Sequence, residues 1–75
     1  MNFTCQLAAC TNTLLSEIAE PRLKRKDIAM TYMLAMRSSE PTDWAKVNAA
    51  ILDRWSMSGL IWIKTQAHRL LRPAE

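Results

Sequence analysis

Ile28-Ala29-Met30-Thr31-Tyr32-Met33-Leu34-Ala35-Met36 is the stretch on which the fold turns. On a helix advancing about 100° per residue, its apolar side chains cover nearly the whole circumference, with Thr31 the one clearly polar break. A helix that is apolar all round belongs inside a bundle, with other helices packed about it. A bilayer span needs about 20 apolar residues, so this run is far too short to cross a membrane. The expectation is a buried central helix over about 22–37.

The segments on either side carry narrower stripes. Upstream, Phe3, Leu7, Cys10, Leu14 and Ile18 share one face of a helix ending near Ala19, while Gln6, Thr13, Ser16 and Glu17 share the other. Threonines at 11 and 13 weaken that helix, and Thr13 is a candidate cap for a shorter one. Glu20-Pro21 signals a turn, with Pro21 also suited to open the next helix. Downstream, Ser38-Ser39-Glu40-Pro41 ends the central helix, and Thr42 is the expected N-cap of a third. That helix, from Asp43 to about Arg54, places Trp44, Val47, Ile51 and Trp55 on one arc. After a break at Arg54-Trp55-Ser56, a fourth helix from about Met57 to Leu71 offers Leu60, Ile63, Ala67, Leu70 and Leu71 as its core face. The fold class is all-α: one domain over 1–75, a compact bundle of three to four helices ending in a C-terminal helical hairpin.

Composition agrees. With 49% hydrophobic and 23% charged residues among 75, the chain has ordinary globular material for a single domain. One glycine (Gly59) and three prolines mean few turns and long elements, which disfavours a sheet. Cys5 and Cys10 would point about 140° apart on one helix and cannot bridge there. Their spacing does not suit a zinc pair, and the first ten residues lack the basic and long apolar regions of a secretory signal. Two unpaired thiols fit a reducing cytoplasm.

Enzymatic chemistry has little to rest on. His68 is the single histidine, the aspartates at 27, 43 and 53 are scattered, and no glycine-rich loop offers a phosphate cradle. No catalytic residue, metal or cofactor is expected. Two features point instead to binding. Arg22, Lys24, Arg25 and Lys26 form a basic turn at the start of the central helix, in a chain of net charge +3. Trp62 falls opposite the core face of the last helix, with Gln66 and Arg69 one and two turns on, a composition typical of interface hot spots.

The first expectation is therefore a small non-enzymatic regulator, adaptor or inhibitor that docks stoichiometrically on a larger protein or nucleoprotein complex. Its contacts would come from Arg22, Lys24, Arg25, Lys26, Trp62, Lys64, Gln66 and Arg69. The alternative is a helix-turn-helix DNA-binding regulator, dimeric, in which Ser58, Trp62, Lys64, Thr65 and Arg69 would face the major groove. That motif match is loose, because Arg54 stands where the turn prefers glycine and Asp53 where an apolar residue is usual. A third reading is a self-assembling structural subunit.

Overall fold

The computed structural model describes residues 10–72, and these form three helices: α1 (Cys10–Ala19), α2 (Arg25–Arg37) and α3 (Trp44–Leu71). The described residues contain no strand. Each helix packs on the other two around one core. Leu14 and Ile18 supply it from α1, Ile28, Ala29, Tyr32, Met33 and Ala35 from α2, and Val47, Ile51, Leu60, Ile63 and Ala67 from α3. Trp44, Trp55 and Cys10 press against this core from its margin, as their helical stripes require. Phe3, Cys5 and Leu7 lie outside the described residues.

The central helix is less enclosed than its sequence implies. Ile28 and Ala29 are fully covered, yet Met30 is 46% and Leu34 53% exposed. Two neighbouring helices can cover only part of a third, so one edge of an all-apolar helix stays open. The helix also starts at Arg25 rather than near Arg22. Glu20 to Leu23 close a turn instead, with the Leu23 N–H donating to the Glu20 carbonyl (3.1 Å) and Pro21 at the second position, where its fixed φ suits a turn. Asp27, in the first turn, accepts a 2.7 Å bond from the Lys24 N–H. Its negative charge there offsets the basic residues placed against the helix dipole.

Asp43, not Thr42, caps α3, its carboxylate accepting from the Lys46 N–H (3.1 Å). The Thr42 hydroxyl is turned inward, buried without a partner. The Asp43 N–H in turn donates to the Thr11 hydroxyl of α1 (3.1 Å), so the start of α3 is tied to the first helix. Thr13 is an exposed residue within α1 and caps nothing.

In place of a hairpin, α3 is bent at a single residue, Ser56, with φ 69° and ψ −174°. A straight helix of this length would measure about 42 Å. The longest dimension of the molecule is 34 Å. Backbone of this kind is essentially reserved for glycine and costs a side-chain-bearing residue roughly 1–3 kcal/mol. Gly59, one turn on, is buried against Trp55: a Cβ there would overlap the Trp55 Cβ and stand 3.1 Å from its Cγ. The break expected at 54–56 is thus present without any loop, and the segments 44–55 and 57–71 meet directly.

Arg54 locks the first of these segments in place. Its guanidinium donates to four backbone carbonyls of the α1–α2 connection: Ile18 (2.9 Å), Glu20 (3.1 Å), Pro21 (3.3 Å) and Leu23 (2.7 Å). The same group lies 4.1 Å from the centre of the Trp55 ring. Carbonyls left free at the end of a helix attract a cation, and a planar guanidinium presents enough donors to bind several at once.

Tyr32 joins α2 to α3 on the other side. Its ring packs on Trp44 with centroids 4.7 Å apart, and its hydroxyl donates to Asn48 Oδ1 at 2.8 Å. Burial raises the phenol above its ordinary value of 10.0. A raised folded-state value favours the neutral form. The stability it brings is complete below pH 10.0 and is lost as pH rises through the folded-state value. Tyr32 is the sole tyrosine. Tyrosinate absorbance should therefore show a midpoint above that of the unfolded chain, and Asn48→Ala should shift it. A midpoint equal to the unfolded one would contradict the buried placement.

Candidate functional site

The basic turn and Trp62, far apart in sequence, meet in the fold. A groove runs between α2 and the 57–71 segment, with Glu17 of α1 at its edge. Leu23, Ala29 and Met30 form one wall, and Trp62, Gln66 and Leu70 the other, with Lys26 and Asp27 also lining it. These positions follow from helical spacing: 62, 66 and 70 share one side of α3, while 26 and 30 share one side of α2. Arg25 reaches over Trp62, its Cζ 5.3 Å from the ring centre. At an exposed site such a contact contributes about 0.5–1 kcal/mol. It joins the first turn of α2 to the 57–71 segment beside the groove.

The other candidate residues are dispersed. Arg22 pairs with Glu20, its Nε 2.8 Å from the carboxylate, on the turn preceding α2. That bond, with a second from the Arg22 N–H, holds the Glu20 carboxyl below its ordinary value, and Arg54 adds to the effect. Lys24 occupies the N-cap position of α2, its N–H taken by Asp27. Lys64 belongs to a different depression, shared with His68, Tyr32, Trp44 and the 38–42 linker. Arg69 is exposed and outside the lining of either. Of the eight residues picked from sequence, Arg25, Lys26, Trp62 and Gln66 converge.

Several groove residues were not legible in sequence. Leu70 sits on the core stripe of its helix but is 45% exposed, and Met30 was expected to be buried. Trp62 itself is 36% exposed, its ring shared between the groove and Arg25. Glu17 has one carboxylate oxygen buried without a hydrogen-bond partner. Among the described residues, none of the histidines, cysteines and carboxylates group closely enough to hold a metal ion. No helix among them is long and apolar enough to cross a membrane. Comparison with family models, curated proteins and solved structures found no match to this chain.

Proposed function

We propose that this chain is a non-enzymatic docking protein that seats an amphipathic segment of a larger protein in the groove between α2 and residues 57–71, acting as a small regulator, adaptor or inhibitor. The observation that carries this reading is the exposed Trp62 held under Arg25 beside Met30 and Leu70. Tryptophan and arginine dominate binding energy at interfaces, and a pre-positioned pair loses little side-chain entropy when a partner arrives. Methionine adds pliable apolar surface that adapts to the partner's shape. Lys26, Asp27 and Glu17 all line the groove, so such a segment would carry charges of both signs along its edge, since rim charges steer encounter. A cytoplasmic setting suits the reading, because Cys10 is a free thiol.

The test is an affinity capture from cell extract with and without nuclease, run in parallel with Trp62→Ala. A discrete protein that survives nuclease and is lost with the variant is the expected outcome. Against that purified partner, Trp62→Ala should weaken binding by about 2 kcal/mol, roughly thirtyfold. Recovery of nucleic acid alone would replace this reading with the DNA-binding one, and protein capture indifferent to Trp62 would overturn the groove as the docking site.

A further inference from the structure

The bend of α3 points to a second copy of this chain as a binding partner. We propose that the 57–71 segment exchanges between two protomers, giving a domain-swapped dimer whose grooves are each built from both chains.

Four observations lead there. Ser56 holds a conformation that only glycine adopts without cost, and the residues on both sides of it are helical. No loop absorbs the bend, and no proline interrupts residues 44–71, so returning Ser56 to helical angles makes α3 one uninterrupted rod. That rod would be about 42 Å long. It exceeds the molecule's 34 Å, and residues 57–71 could no longer lie against their own α1 and α2.

The released segment carries Leu60, Ile63 and Ala67, all core residues that must be covered again. A second copy opened in the same way presents the identical vacated surface, so every contact of the closed monomer can be remade between chains. Strain at a short hinge favours this exchange, because straightening removes the strain while keeping the contacts.

Arg54 determines which half moves. Its four bonds to the α1–α2 connection lie immediately before the hinge, and Tyr32 grips Trp44 and Asn48 further back. Residues 44–55 therefore stay with α1 and α2, and residues 57–71 depart. In the dimer, Trp62 of one chain would lie beneath Arg25 of the other.

The experiment is light scattering on size-separated wild type, Ser56→Gly and Ser56→Ala, from micromolar to millimolar concentration, followed by dilution. Glycine accepts the bent backbone, so Ser56→Gly should lower the dimerisation constant by about tenfold or more. Alanine shares the strain of serine and prefers helix more strongly, so Ser56→Ala should raise it severalfold. A swapped dimer must open its core to separate, and should persist long after dilution, unlike a surface contact. Monomers throughout for all three chains would overturn the proposal, as would a dimer indifferent to residue 56 or one that dissociates at once. Because Ser56→Gly relieves strain, failure to fold does not stand in the way of that comparison. Partner capture through Trp62 is read separately, so either idea can fail without the other.

Discussion

Arg54→Ala is expected to lower folding stability by about 3 kcal/mol, on the basis of about 1 kcal/mol for each of three hydrogen bonds. Those three, to Ile18, Glu20 and Leu23, are partly shielded from water, whereas the fourth, to Pro21, is exposed and adds less. Shielded carbonyls stripped of their donor recover only part of their solvation, so the loss exceeds that of a surface ion pair. Chains of this size are stable by only about 5–10 kcal/mol, which makes a single side chain responsible for a large fraction of the total. Urea unfolding read at constant slope measures the effect. Arg54→Lys separates charge from geometry: an ammonium keeps the favourable charge at the end of α1 but not the planar fork, and should recover less than half. A loss below about 1 kcal/mol for Arg54→Ala would mean that water replaces the guanidinium at little cost.

The second large effect has an unusual sign. Glycine to alanine inside a helix ordinarily stabilises by about 0.5–1 kcal/mol. At Gly59 the same change should destabilise by about 2 kcal/mol, because overpacking a close contact costs about 1–3 kcal/mol. The added Cβ would meet the Trp55 Cβ, an atom fixed to the backbone that no rotamer change can move aside. Trp55→Ala keeps that atom and so should not rescue Gly59→Ala, whereas Trp55→Gly should show favourable coupling to it. A double-mutant cycle in denaturant, at low micromolar concentration where the closed monomer is measured, tests both statements. A stabilising Gly59→Ala would show that the bend can open without loss.

Both effects concern the same few residues, and neither is visible in a hydrophobic pattern. The pattern at 57–71 marks Leu60, Ile63 and Ala67 as buried, as they are, but also marks Leu70, which the groove leaves open. Periodicity records which side chains share a face. It does not record how widely the neighbouring helices cover that face, and here Leu71 packs against the core while Leu70 beside it stays open. The central stretch shows the same limit: its composition predicts burial all round, and two neighbours leave Met30 and Leu34 exposed.

Sequence alone determined that the described residues are helical, where the connections at 20–24 and 38–43 fall to within a few residues, and that a discontinuity lies at 54–56. Those properties depend on local spacing, on prolines and caps, and on the scarcity of glycine, all of which act between residues close in the chain. Only the tertiary structure decided that the discontinuity is one strained serine, that Arg54 clasps the connection before α2, and that Arg25 lies over Trp62. These joins link residues 31 to 37 positions apart, and their geometry follows from how three helices pack, which no local spacing encodes.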